Sequence, residues 1–299
     1  MSLNHPLFVR AVAQSVPTQP ATGTGRLFGD ILVDAVRLSS IDVDRILTFQ
    51  EGTHVRFGEA GQALGLLTED DIRYALSVQF DYSYLSDDSS LSRELVAAFE
   101  PASRSVEDLR ALRSQLMLRW FDTRSDRRSL AISSASHGEG RSYLAANLAI
   151  VFSQLGERTL LIDADLRTPR QHKLFNLGAR AGLSDMLVGR AGSEAVVGVT
   201  ELRDLSVLPA GVIPPNPQEL LGRQRFSTFL TSMGENFDVI IIDTPAACAY
   251  ADAHTVAVRA GAALLVARQG RSSVPQMAQL TQGLRDFGVS VLGSVLNDV

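Results

Sequence analysis

From about Ser129 onward, short apolar runs alternate with longer stretches whose apolar residues return at helical spacing. The runs Leu130–Ser134, Leu160–Asp163, Ser206–Leu208, Val239–Asp243, Ala263–Val266 and Val289–Leu292 predict strands. Between them, Arg141–Leu155, Pro217–Met233, Ala251–Ala260 and Val274–Phe287 predict helices. In the first of these, Leu144, Leu148, Val151 and Leu155 form the buried stripe. Val239-Ile-Ile-Ile242 has no polar position, so this strand is expected at the centre of the sheet, covered on both faces. Strand–helix alternation of this kind predicts an α/β fold: a doubly wound, mostly parallel sheet with helices on both sides.

The first part of the chain follows a different pattern. Residues 1–24 are rich in Pro, Thr, Gln and Ala without periodicity, which predicts a disordered arm. Residues 25–82 contain a repeat. Phe28-Gly29-Asp30 returns as Phe57-Gly58-Glu59, Leu38-Ser39 as Leu67-Thr68, Asp42-Val43 as Asp71-Ile72, and Leu47 with Gln50 as Leu76 with Gln79, each pair 29 residues apart. Each copy reads as a short helix, a turn, and a second helix capped near Ser39 or Thr68, so a small helical module is predicted. Residues 83–104 read as a linker with one short helix. A further helix is predicted from about Ser105, with Ser105 as N-cap and acidic residues in its first turn. The α/β domain is then 105–299.

Composition narrows the possibilities. A net charge of −5 argues against non-specific nucleic-acid binding. Cys248 is the only cysteine, so no disulfide can form within the chain, in keeping with a reducing cytosol. No apolar run approaches the ~18 residues of a membrane span, so contact with a membrane is expected through a partner. Lys173 is the only lysine; every other basic side chain is arginine.

Three motifs carry the chemistry. Ala135-Ser-His-Gly-Glu-Gly-Arg-Ser142 joins a predicted strand to a predicted helix. A Gly-rich loop in that position leaves backbone N–H groups free to cradle phosphates, and the helix dipole adds to the field. The spacing is that of a Walker A loop, with Arg141 where lysine ordinarily stands. Ser136, His137, Gly138, Glu139, Gly140, Arg141, Ser142 and Tyr143 are therefore the candidate ATP-binding residues, with the Ser142 hydroxyl a candidate magnesium ligand. Asp163 and Asp165 stand at the carboxyl end of the next strand, where ligands bind in such sheets. Asp165 also reads as a cap for the next helix. Asp243 ends the central strand and is the candidate outer-shell partner of Mg2+.

Asp163-x-Asp165-x-Arg167 is similar to the Walker A′ element of bacterial tyrosine kinases of the polysaccharide co-polymerase type. The resemblance extends over residues 105–296. It includes Asp165-Leu-Arg-Thr-Pro-Arg-Gln-His172, Gly182-Leu-Ser-Asp185, and Leu208-Pro-Ala-Gly211 leading to Pro215-Asn-Pro-Gln-Glu-Leu-Leu221. It implies an ATP-dependent protein-tyrosine kinase of the kind that sets exopolysaccharide chain length. Asp163 would help activate a tyrosine hydroxyl, Asp165, Ser142 and Asp243 would organise magnesium, and Arg141 would act on the phosphates. The resemblance also implies a homo-oligomeric ring joined through Glu107, Arg110 and Arg113, although charges at this spacing are common on solvated helix faces. A transmembrane polysaccharide co-polymerase, as a separate chain, would hold the kinase at the inner face of the plasma membrane. The repeat module resembles the N-terminal domain of type II secretion ATPases. Relatives of that domain bind cyclic di-GMP, and Arg56-Phe57-Gly58 approximates the second of their motifs. Leu27 stands where the first arginine would fall, with Arg26 one place early, and protein docking is the preferred reading of the module.

Two departures from the family pattern keep other functions open. Guanidinium is a broad planar fork, whereas the lysine ammonium is a compact charge. No tyrosine cluster follows the last predicted strand, so Tyr82 and Tyr84 are the candidate substitutes as acceptors. A catalytically weak ATP-binding switch or scaffold is thus the second reading. A positioning ATPase of the septum-site and partition class is the third, weakened because Ser136 stands where those proteins carry a further lysine.

Overall fold

The computed structural model describes residues 27–79, 85, 88–121 and 127–298. The predicted arm, Arg26, Tyr82 and Tyr84 lie outside the described residues. The chain divides into two compact units, residues 1–80 and 81–299.

In the first unit the repeat is realised as two helix pairs, α1 (Phe28–Asp34) with α2 (Ser40–Thr53) and α3 (Phe57–Ala63) with α4 (Glu69–Gln79). Both second helices start on the same cap. Ser39 Oγ accepts from Asp42 N at 3.2 Å, and Thr68 Oγ1 accepts from Asp71 N at 3.2 Å. The copies even share a left-handed residue after the first helix: Val36 at φ 58° and Gly65 at φ 66°. Ile31, Leu32, Leu38, Ile46, Ala60, Leu67 and Ala75 form this unit's core.

The second unit opens with α5 (Val96–Phe99) and α6 (Arg104–Arg119). Helix α6 starts two residues before the predicted position, and Ser103, not Ser105, stands at its N-cap. The described part of the predicted linker is no free tether. Ala97 N donates to the buried Asn147 Oδ1 at 2.9 Å, Asn147 Nδ2 donates to Glu94 O at 2.9 Å, and Ser92 N donates to Leu174 O at 2.9 Å. This strap covers one side of the α/β domain.

The sheet comprises β1 (Ser129–Ser134), β2 (Thr159–Asp163), β3 (Val197–Gly198), β4 (Leu205–Leu208), β5 (Val239–Asp243), β6 (Ala262–Arg268) and β7 (Ser290–Asn297). Their order is β3-β4-β2-β5-β1-β6-β7, all parallel except the short β3–β4 pair. Between the strands lie α7 (Arg141–Ser153), α8 (Gln171–Leu174), α9 (Leu183–Val188), α10 (Pro217–Gly222), α11 (Gln224–Asn236), α12 (Asp252–Ala260) and α13 (Val274–Asp286). The helix predicted over 217–233 is broken, because Arg223 is extended (φ −67°, ψ 147°) directly after Gly222.

The strands bury alternate residues on opposite faces. Leu130, Ile132, Leu161, Val239, Ile241, Leu264 and Val266 pack with α5, α6 and α7. Ala131, Leu160, Ile162, Ile240, Ile242, Ala263 and Leu265 pack on the other side with helices that include α10, α11 and α12. Strand β5 is buried along its whole length, as its sequence predicts. The carboxyl ends of β1, β2 and β5 therefore meet at the centre of a rigid sheet.

Candidate active site

Each of the three motifs ends one of those strands. The Gly-rich loop leaves β1 at Ser134 and enters α7 through Gly140, which has φ 96°. A Cβ on Gly140 would come within 2.2 Å of Asn297 Nδ2, so the loop's path needs glycine there for both space and backbone conformation. Arg141, Ser142 and Tyr143 occupy the first turn of α7, where helical N–H groups have no intrahelical acceptor. Their dipole-reinforced N–H groups suit a phosphate. His137 and Gly138 are exposed on the outside of the loop.

Two further side chains of the motif are wholly or partly buried. Glu139 is fully buried and accepts from Ser136 N at 2.7 Å and from the Ser272 hydroxyl. It braces the loop. Tyr143 is half-buried, and burial together with Glu100 and Glu94 pushes its phenol above the usual value. For these two positions the backbone is the part a phosphate could meet.

Arg141 is buried and its guanidinium is already engaged. Nε donates to Thr244 O at 2.8 Å, and Nη1 donates to Ser136 O at 2.8 Å and to the Ser134 hydroxyl. The fork pins the loop to the segment following β5. Nη2 takes part in none of these bonds.

Asp163 and Asp243 are register partners on β2 and β5, and both are completely buried. Asp163 accepts from Asp165 N at 3.2 Å, Arg170 N at 3.0 Å and Gln171 N at 2.9 Å. Burial, and then the charge of Asp243, raise its carboxyl well above the ordinary value despite those bonds. Burial also pushes Asp243 up, to about 6, while Arg141, Ser142 and Gln171 work against the rise. Asp165 is not the cap of the next helix, which begins at Gln171 after Arg170; it closes a turn in the loop before it, and Asp163 accepts the N–H groups at that helix start. The Asp165 carboxylate accepts from Arg167 N at 3.1 Å, Thr168 N at 2.8 Å and the Thr168 hydroxyl at 3.0 Å. Arg167 runs outward in a forked pair with the fully buried Asp252 (2.6 and 3.2 Å), and its guanidinium lies 3.7 Å from the Tyr250 ring centre.

These residues fit a nucleotide-borne magnesium ion. Among the described residues, no three His, Cys, Asp or Glu side chains gather to hold a metal by themselves. Magnesium keeps several waters and takes few protein ligands, so such a cage is not required. Asp243 Oδ1 is buried and, apart from the neighbouring Ser142 hydroxyl, meets no protein donor, which suits an acceptor facing a hydrated cation. Ser142, at the start of α7, lowers the Asp243 carboxyl through its side chain and would supply the hydroxyl ligand.

The three residues proposed for oligomerisation lie on α6, away from these strand ends. Arg110 pairs with Glu107 on its own helix, and Arg113 Nη1 donates to Val151 O at 2.6 Å within the same domain. Among the described residues, no helix is long and apolar enough to cross a membrane. Sequence reasoning missed Gln171, Thr244 and Asn297 as parts of the site. Gln171 lies inside a quoted motif, yet only the fold reveals that it is buried.

No protein-family model matches the chain. Tyrosine-protein kinase YwqD of Bacillus subtilis is 36% identical over 209 residues, which are 70% of this chain and 87% of that protein. Tyrosine-protein kinase etk of Escherichia coli K12 is 35% identical over 204 residues, 68% of this chain but only 28% of the longer etk protein. The solved structure of the kinase domain of Escherichia coli tyrosine kinase ETK superposes with a TM-score of 0.67 at 32% identity, covering 72% of this chain and 83% of that chain.

Proposed function

The chain belongs to the bacterial tyrosine-protein kinases, and we propose that it transfers the γ-phosphoryl group of ATP to tyrosine hydroxyls in a system that controls exopolysaccharide chain length or export. The observation that carries this reading is the pairing of Asp163 and Asp243 on adjacent strands beside the loop of Arg141 and Ser142.

The first-turn N–H groups of α7 bind and orient the phosphates, and the Arg141 charge lies at the base of the loop. Ser142, Asp243 and Asp165 would hold Mg2+, which when bound would neutralise charge on the phosphates and the leaving group. Asp163 takes the proton of the attacking tyrosine hydroxyl as the new O–P bond forms and the bond to the β-phosphate oxygen breaks, with ADP leaving. Its raised carboxyl makes it a stronger base than an ordinary aspartate. The chain works as a homo-oligomer at the cytoplasmic face of the membrane, bound to a separate transmembrane polysaccharide co-polymerase. Residues 25–82 serve as a docking module for a protein, with cyclic di-GMP the lesser candidate; nucleic acid is no partner.

One observation favours a second reading. The Arg141 fork is occupied by Ser134, Ser136 and Thr244, so an ATP-binding switch or scaffold with weak transfer remains the alternative. Phosphotyrosine formation from labelled ATP and magnesium, with the cytoplasmic tail of the co-polymerase, tests both. Transfer by the wild type that Asp163→Asn abolishes supports the kinase. Transfer by Arg141→Lys alone supports the scaffold.

A further inference from the structure

Gln171 touches all three motifs. It is fully buried at the start of α8. Its backbone N–H donates to Asp163 Oδ2 at 2.9 Å. Its carboxamide Nε2 donates to Ser142 O of the phosphate loop at 3.1 Å and to Asp243 Oδ2 at 2.8 Å. Both neighbours of that nitrogen are acceptors, so the amide has one sensible orientation: the NH2 faces them and Oε1 faces away.

That leaves Gln171 Oε1 a buried acceptor without a protein donor, as is Asp243 Oδ1 apart from the neighbouring Ser142 hydroxyl that lowers its carboxyl. Buried acceptors left without a donor are costly, so a fold keeps them only where something else donates. Among the proposed ligands, a magnesium-bound water can do so. Magnesium retains part of its water shell, and the O–H groups of those waters are polarised donors. A core pin would need only the NH2 bonds. An unpaired oxygen on an amide bonded to the Asp243 carboxylate points to a role toward the hydrated cation.

We propose that Gln171 is a positioning residue for the magnesium site: its NH2 fixes the Asp243 carboxylate against the phosphate loop, and its Oε1 receives a magnesium-bound water. This rests on the reading of the site as a magnesium–nucleotide centre. The carboxamide makes the three motifs one unit, so that loop, β2 and β5 meet the cation in a single arrangement.

The test is equilibrium binding of a fluorescent ATP analogue to the full chain, first in EDTA and then across a magnesium titration. Gln171→Leu and Gln171→Met remove the amide while keeping a similar volume, and either serves provided its thermal unfolding stays cooperative. Second-shell changes of this kind typically cost 10–100-fold in metal affinity. The proposal expects the half-saturating magnesium concentration to rise about tenfold or more, beyond any change in analogue binding measured in EDTA. It is overturned if that concentration stays within about twofold of wild type in a folded variant. It is equally overturned if binding with and without magnesium weakens by one common factor, the mark of a structural pin. Absence of magnesium dependence in the wild type would instead sink the reading of the site itself.

Discussion

Asp243→Asn should make the protein without ligand more stable at neutral pH. In the folded chain burial holds the Asp243 carboxyl at about 6, against 3.8 for an ordinary aspartate. The sign follows from proton binding. Below pH 4 the carboxyl is neutral in both folded and unfolded chains, and its contribution is fully present. Between 4 and 6 the unfolded chain ionises first, so rising pH draws the equilibrium toward unfolding. By about a pH unit above 6 the loss is complete. A difference from 3.8 to about 6 corresponds to about 3 kcal/mol at 1.36 kcal/mol per pH unit. Asparagine carries no charge, and its carbonyl still accepts from Gln171 Nε2. It also relieves Asp163, whose carboxyl the Asp243 charge raises. A gain of about 3 kcal/mol in a domain of this size shifts the midpoint of thermal unfolding by roughly 6–12 °C.

The assay is thermal unfolding of wild type and Asp243→Asn in EDTA, without nucleotide, from pH 4 to pH 8, following the transition of the larger unit. The gain should be small at pH 4, grow through 5 and 6, and level off by 7. A variant no more stable than wild type at pH 8, or equally stabilised at pH 4 and pH 8, would refute the argument. The variant should also lose magnesium-dependent ATP binding, the expected exchange of stability for function at an active site.

Val36 is β-branched, exposed, and left-handed at φ 58°, where the second copy of the repeat has Gly65. Val36→Gly relieves a strain of about 1–2 kcal/mol and loses part of it to chain entropy, so chemical denaturation should report a net gain of about 0.5–1 kcal/mol. Gly65→Val should do the opposite. Asn147→Ala removes the bonds that hold the strap at Ala97 and Glu94, with an expected cost of about 2–3 kcal/mol and faster proteolysis within residues 88–100. If α6 joins subunits into a ring, Glu107→Ala should reduce the sedimentation coefficient. Glu107 is the cleaner probe, because Arg113 also bonds Val151 O in its own domain.

What the sequence disclosed depended on how local each determinant is. Val239-Ile-Ile-Ile242 announces a fully buried strand by itself, and the structure buries all of it. The repeat announces itself through matched caps, and the structure returns the same Ser39 and Thr68 bonds. Determinants that join distant segments left no such mark. The helix break at Arg223 depends on one extended residue, β3 is a two-residue edge strand, and the strap depends on Asn147 meeting Glu94 and Ala97 some fifty residues earlier. Arg141 illustrates the limit. As a letter it reads as a substitution for lysine, with charge kept and shape changed. In the fold its width has a use that a single ammonium matches poorly, since one flat group reaches Thr244 O from Nε and Ser136 O from Nη1. Replacing it by lysine therefore changes two things at once, the group offered to phosphate and the clamp between the loop and the end of β5. A loss of stability without a gain in transfer would mark the arginine chiefly as that clamp.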